Sequence, residues 1–287
     1  MASVIVEILS KLEERASSAT PYEVRIGAHW TFVGLQINGE RCGGLATTLS
    51  GGDHAAHAAG GPPVRQAGRL LHATAFELAS LAQSNSLLET SVGIATINAL
   101  LEVDEAECVD VNAADVIEAR GAGRKIAVVG HFPFVPRLRT IAETLWVLEL
   151  EPREGDLPAA QAPEVLPQAD VVALTGSSLL NKTFDSLVRL CRSDAFLVVL
   201  GGTAPLSPDL LVAGVDAVAG TRVVDPEAAA LAVGQGATFR QIPGKRLLTM
   251  FRDAATRRSF SRQDRAIRDR AIRDRATQDR AIQDPGK

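Results

Sequence analysis

Four clusters of small, polar and ionisable residues in the second half of the chain could hold and transform a small molecule. The first is Gly130-His131-Phe132-Pro133-Phe134-Val135-Pro136-Arg137. Its glycine lets a ligand approach the backbone, and His131 can move a proton near neutral pH. Two prolines remove amide donors and there is no G-x-G-x-x-G, so a pyrophosphate cradle of the dinucleotide type is not expected. The second cluster, Glu149-Leu150-Glu151-Pro152-Arg153-Glu154-Gly155-Asp156, places an acid, Glu149 or Glu151, where nucleotide-binding sheets grip ribose hydroxyls. A solvated acid at a strand end would look the same. The third, Thr175-Gly176-Ser177-Ser178-Leu179-Leu180-Asn181-Lys182-Thr183, gathers hydroxyls and an amide able to bind a carboxylate, phosphate or amine. Helix capping by Ser178 or Asn181 would use only one of them. The fourth, Gly201-Gly202-Thr203-Ala204-Pro205-Leu206-Ser207-Pro208, supplies a further wall.

Metal chemistry is less well served. The five histidines are His29, His54, His57, His72 and His131, and only His54-Ala55-Ala56-His57, with Asp53 beside it, has ligand-like spacing. That pair sits in a Gly/Ala-rich stretch. Cys42, Cys108 and Cys191 are far apart and form no C-x-x-C, which fits reduced, mostly buried thiols.

These clusters follow continuous apolar runs: 125–130, 145–150, 170–176, 195–202 and a short 217–220. Segments 181–191 and 207–213 read as intervening helices, Ser207-Pro208 being an N-cap followed by proline at the first helical position. Buried strands alternating with helices predict a parallel, Rossmann-like sheet with its site at the carboxyl ends of the strands.

The first 122 residues have a different texture. Residues 1–16 form an amphipathic helix in place of a signal peptide. Residues 23–27 and 30–37 alternate as strands, Asn38-Gly39 is a hairpin signal, and 42–49 would be the return strand. Two helices follow, 68–83 and 87–101. The domains expected are a 1–122 α+β cap, a 123–253 Rossmann-like ligand-binding domain, and a 254–287 low-complexity basic tail.

The tail repeats every five residues (Asp264-Arg265-Ala266-Ile267-Arg268, then Asp269-Arg270-Ala271-Ile272-Arg273). Five residues advance a helix by ~140° beyond a full turn, so Ile267, Ile272 and Ile282 spiral around it instead of forming a coiled-coil seam. Ten Lys and Arg stand against five Asp from residue 254 onward, within a chain of net charge −4. The body before the tail is therefore acidic, which argues against nucleic acid as the main partner. With 46% hydrophobic and 22% charged residues in 287, the chain can fill two ordinary cores. No apolar run approaches the ~18 residues of a membrane span. The expectation is a cytoplasmic protein.

Together Val129-Gly130-His131-Phe132-Pro133, Glu149-x-x-Pro152-x-x-Gly155-Asp156, Leu166-Pro167-x-Ala169-Asp170, Thr175-Gly176-Ser177 with Asn181-x-Thr183, and Pro205-Leu206-Ser207-Pro208 resemble one family. It is the bacterial and archaeal "putative heavy-metal chelation" family. In the first half, Ser84 and Gly93-Ile94-Ala95-Thr96-Ile97-Asn98-Ala99-Leu100-Leu101 are similar to that family's helix signature. The resemblance covers about residues 25–253. It implies a Rossmann-like C-terminal domain joined to one similar to the enolase N-terminal domain. The family's glycine-proline-serine/threonine run stands here as Gly202-Thr203-Ala204-Pro205, a departure at that wall.

The reading adopted is an enzyme for S-adenosylmethionine or a related adenosyl nucleotide. The adenosine would lie over Gly130, Phe132 and Pro133 with its ribose on Glu149. The amino-acid arm would reach Thr175, Gly176, Ser177, Asn181 and Thr183, walled by Gly202, Pro205 and Leu206. The chemistry is methyl transfer, or pyridoxal-independent removal of the α-proton with ring closure to 1-aminocyclopropane-1-carboxylate and release of methylthioadenosine. His131, Lys182 and, from the cap, His72 are the candidate bases, and no resident metal is expected. The alternative is a heavy-metal or tetrapyrrole-handling protein. The Gly93–Leu101 helix leaves room for a homodimer interface.

Overall fold

The computed structural model describes residues 3–49 and 63–262. Asp53, His54, His57 and the repeats beyond 262 lie outside the described residues. The chain opens with α1 (Val4–Ser17), whose Val4, Ile5, Ile8, Leu9 and Leu12 recur at helical spacing and are all buried. An antiparallel meander follows: β1 (Ala19–Ile26), β2 (Trp30–Ile37) and β3 (Glu40–Thr47). Asn38 and Gly39 take φ of 50° and 87°, the pair of positive values that a tight hairpin needs. Strand β1 begins earlier than the alternation suggests. Its register shifts between Pro21 and Glu23, and such a bulge breaks the period-two pattern.

The stretch expected as one helix over 68–83 is divided. A helical turn at 70–72 gives way to α2 (Ala75–Ser80) because Thr74 and Glu77 form a reciprocal capping box that starts a new helix. Helix α3 (Leu87–Leu100) is capped by Ser86 and buried around almost its whole circumference. It lies against β3 so closely that a Cβ at Gly44 would come within 2.0 Å of the Ala95 carbonyl oxygen, and one at Gly93 within 1.9 Å of the Ala82 amide. The signature helix is thus largely taken up by packing within its own chain. At its start the buried Glu89 carboxylate accepts from Ser84, from the Arg65 amide (2.9 Å) and from the Arg65 guanidinium (2.9–3.2 Å).

The larger sheet has eight strands in the order β4-β11-β10-β9-β8-β5-β6-β7. They are β4 (Cys108–Val109), β5 (Lys125–Val129), β6 (Thr144–Glu149), β7 (Leu157–Pro158), β8 (Val171–Thr175), β9 (Phe196–Leu200), β10 (Ala217–Val223) and β11 (Lys245–Phe251). From β10 to β7 every neighbour is parallel, while β11 and β4 run antiparallel at one edge. The five apolar runs are the central strands, as the pattern requires. Strands β4, β7 and β11 escape that pattern because two are only two residues long and β11 opens on Lys245-Arg246. Helix α4 (Ala113–Gly121), capped by Asn112, packs Val116 and Ile117 under this sheet. The larger body therefore takes in residues ahead of 123. It also runs past Asp253, where residues 254–262 are helical and Phe260 stacks on Phe251 with ring centroids 5.1 Å apart.

The remaining helices of the larger body are short: α5 (Val135–Arg139), α6 (Ala162–Val165), α7 (Ser177–Leu180), α8 (Phe184–Leu190) and α9 (Pro208–Val212). Helix α10 (Pro226–Gly234) leaves this body to cover the smaller sheet on the face opposite α3. Phe32 and Leu45 of that sheet are buried against Ala229, Ala230 and Val233, each large side chain contributing about 1.5–3 kcal/mol. Gly27 is obligatory beneath α10, since a Cβ there would stand 2.3 Å from the Val233 carbonyl oxygen. No helix among the described residues is long and apolar enough to cross a membrane.

Candidate functional site

From the end of β5 the chain crosses to β6 on one side, and β8 lies on the other. That is a topological switch point, where open α/β sheets leave a crevice outside the carboxyl ends of their strands. Gly130 stands at its lip with φ 104°, a conformation that favours glycine. Its amide donates to the Leu148 carbonyl at 2.9 Å, and a Cβ would approach Thr175 to 3.1 Å. The crevice holds a cavity of about 570 Å³ bounded by Gly130, His131, Phe132, Glu149, Thr175, Ser177, Asn181 and Thr183, with Leu49 reaching over from the smaller body. Residues from three of the four clusters thus share one chamber.

Inside it Glu149 is held by two backbone amides, Oε1 accepting from His131 at 3.0 Å and Oε2 from Leu150 at 2.8 Å. Carboxylate oxygens have lone pairs left over for hydroxyl donors. Glu151 is exposed and lies outside the chamber. The His131 ring places Nδ1 2.9 Å from Oδ2 of Asp156, whose side chain is fully buried. Burial alone would raise the Asp156 pKa. The hydrogen bonds from His131 and from the Arg153 amide, with the positive charge of Arg139 nearby, outweigh it and hold the carboxyl below its ordinary value. An ionised acceptor keeps the proton of neutral imidazole on Nδ1 and leaves Nε2 with a free lone pair. Asp156 is the residue that a list of site candidates from the clusters leaves out. Its signal was the Gly155-Asp156 pair, where Gly155 (φ 83°) turns the chain back toward the histidine.

On the third cluster, Thr175 Oγ1 accepts from the Ser177 amide and Ser178 Oγ donates to the Thr175 carbonyl. Asn181 Oδ1 accepts from both the amide and the hydroxyl of Thr183. Gly176 is required for packing, because a Cβ there would come within 2.6 Å of the Ala204 amide. Lys182 does not join the site. Its Nζ donates to the Gln83 carbonyl (3.0 Å) and Asn85 Oδ1 (3.1 Å), tying α8's leading loop to the smaller body. His72 is exposed beside Arg65 and Glu77, in a different depression. Of the three candidate bases the structure brings only His131 to the crevice.

The fourth cluster lies beyond Phe132 and Thr175, in a second chamber of about 330 Å³ that includes Pro133, Gly176, Gly201 and Gly202. Pro205 and Leu206 are buried behind it, Leu206 lying 2.8 Å from where a Gly220 Cβ would be. Thr203 joins the bodies, its Oγ1 2.9 Å from both the amide and the hydroxyl of Thr47, while Asn98 Nδ2 donates to the Leu45 and Thr203 carbonyls. Trp30, Phe134, Phe239 and Arg240 also line this chamber. Phe134 belongs to the first cluster, while Trp30, Phe239 and Arg240 come from two other segments with no shared motif, which hides them from a sequence reading.

Soft-metal ligation would need thiolates or imidazoles converging on a point. Among the described residues no group of three His, Cys, Asp or Glu does so. Burial pushes the Cys108 thiol up to about 11 and the Cys191 thiol up to about 12. Neither thiol is poised to ligate a soft metal, and Asp53, His54 and His57 lie outside the described residues.

Residues 9–101 and 112–251 match two family models, both described as "Putative heavy-metal chelation". An uncharacterized protein of Methanocaldococcus jannaschii is 26% identical over 230 residues, 78% of this chain and 86% of that one. The crystal structure of a protein with unknown function from Pyrococcus horikoshii superposes with a TM-score of 0.74 at 21% identity, covering 87% of this chain and all of that one. A second, from Desulfitobacterium hafniense, gives 0.68 at 22% identity over 86% and 99% of the two chains. Both carry the same fold, and the paired matches span the two bodies in order. The chain belongs to the two-part family described as "putative heavy-metal chelation".

Proposed function

We propose that the protein is an enzyme that binds S-adenosylmethionine, or a related adenosyl nucleotide, in the chamber at the switch point and transforms it beneath the smaller body. The observation that carries this reading is the meeting of Glu149 with the His131–Asp156 pair in one cavity. Ribose hydroxyls donate to Glu149, and the amino-acid arm turns toward Thr175, Ser177, Asn181 and Thr183. His131 Nε2 takes the α-proton. The electron pair left on that carbon closes onto the γ-carbon, and the carbon–sulfur bond breaks with its electrons passing to the sulfonium. The products are 1-aminocyclopropane-1-carboxylate, methylthioadenosine and a proton held by His131 until solvent removes it. Asp156 holds the ring in the competent tautomer and stabilises the imidazolium. Nothing in this sequence of steps calls on Lys182 or on a metal.

Calorimetric titration of chelator-treated protein with S-adenosylmethionine, followed by mass spectrometry of the mixture, tests the reading. Micromolar binding that is lost in Glu149→Ala, with methylthioadenosine appearing, is the expected result. His131→Gln should bind without turning over. A methylated product with intact binding would keep the adenosyl site and replace the cyclisation by methyl transfer. Absence of binding would sink the proposal.

A further inference from the structure

The second chamber is assigned to nothing so far. It is built by aromatic rings laid directly on glycine backbone: a Cβ at Gly202 would stand 2.4 Å from the Phe239 ring and 2.9 Å from that of Trp30. Those two rings are 4.8 Å apart and tilted by 34°, and across the chamber Phe132 and Phe134 stack at 5.1 Å. Such walls favour a flat apolar body. Its polar lining is mostly neutral hydroxyls, and Arg240 is the one charged residue among the described residues that line it. Arg240 reaches its rim with no carboxylate partner among the described residues, and Asn112 and Ala113 bring the positive end of α4 to it. Thr221 lines it with a buried hydroxyl that lacks a hydrogen-bond partner. Among the described residues no Asp or Glu lines the chamber, so none of them offers an ammonium group a counter-charge.

We propose that this second chamber binds a small carboxylic acid with a flat apolar body, distinct from the ligand of the first chamber and separated from it by the shared wall of Phe132, Thr175 and Ser177. The acid group meets Arg240 and the start of α4, and the ring lies among the aromatic side chains. Neither Glu149 nor His131 lines it, and Thr175 and Ser177 are shared with the first chamber.

The test is calorimetric titration of the full chain with 2-naphthoate and with benzoate, each paired with its neutral amide. Saturable binding of at least one acid, about tenfold tighter than its amide, is expected. Arg240→Gln, a change at an exposed position, should bring acid and amide to the same affinity while leaving the amide unchanged. Thr221→Val should weaken both several-fold. The acid should bind equally well to Glu149→Ala, which separates this outcome from any failure of the adenosyl reading. Equal affinity for acid and amide in the native chain, insensitivity to Arg240→Gln, or no saturable heat from either acid would overturn the proposal.

Discussion

Asp156 touches the cavity only through His131, and its effect is therefore readable in two independent ways. Replacing it with Asn removes the charge that selects the Nδ1-protonated ring, so turnover should fall about 10²–10⁴-fold while adenosyl binding changes little. His131→Gln should fall as far, and the double variant no further, because the two act as one unit. The second readout is stability. The Asp156 carboxyl titrates below its ordinary value in the folded chain, so its contribution is present in full above about pH 4 and disappears as pH drops through the folded value. Asp156→Asn should flatten the acid limb of a denaturation profile, and an unaltered limb would show the pair to be energetically idle. At this scale the sequence was partly legible. His131 and Glu149 sit directly at strand ends, where type and position speak together. Lys182 misled because its ionisable type says nothing of direction, and its amine is spent on Gln83 and Asn85. A prediction about the thiols belongs here too. With Cys108 and Cys191 held up at about 11 and 12, both should resist alkylation at pH 8.

Among the elements, α3 is the most demanding. Its Gly93 leaves no space at all, the obstacle being backbone at Ala82 and not a side chain that could swing aside. Gly93→Ala should therefore cost about 3 kcal/mol or more, measured as a shift in the denaturant midpoint at constant slope. Gly39→Ala, in an open turn where a Cβ meets nothing within 4 Å, should cost far less, through its φ of 87° alone. The central strands were readable since each is a continuous apolar run buried on both faces. β11 was not, because its alternation is mixed with Lys245, Arg246 and Thr249. Helix α4 was missed for a related reason: nine residues opening on Ala113-Ala114 and closing on Arg120-Gly121 give a weak period.

On the scale of the molecule, the two bodies are not separable parts. The smaller sheet is closed on one face by its own α3 and on the other by α10, which the chain contributes only after β10. Calorimetry should accordingly record one transition, with calorimetric and van't Hoff enthalpies equal. Two resolved peaks would refute a shared core. Composition suggests two domains, yet nothing local could announce this exchange, since Ala229, Ala230 and Val233 find their partners almost two hundred residues upstream. The arrangement also sets a clock on biosynthesis. Thr47 ends the sheet and Pro226 begins the helix that roofs it, a gap of 179 residues. At ~5–20 residues per second, a ribosome needs on the order of 10–35 s to cross it. Throughout that interval Phe32 and Leu45 of the nascent chain have no roof, so the period of greatest exposure to chaperones and to misassociation lasts until Pro226–Gly234 has been made.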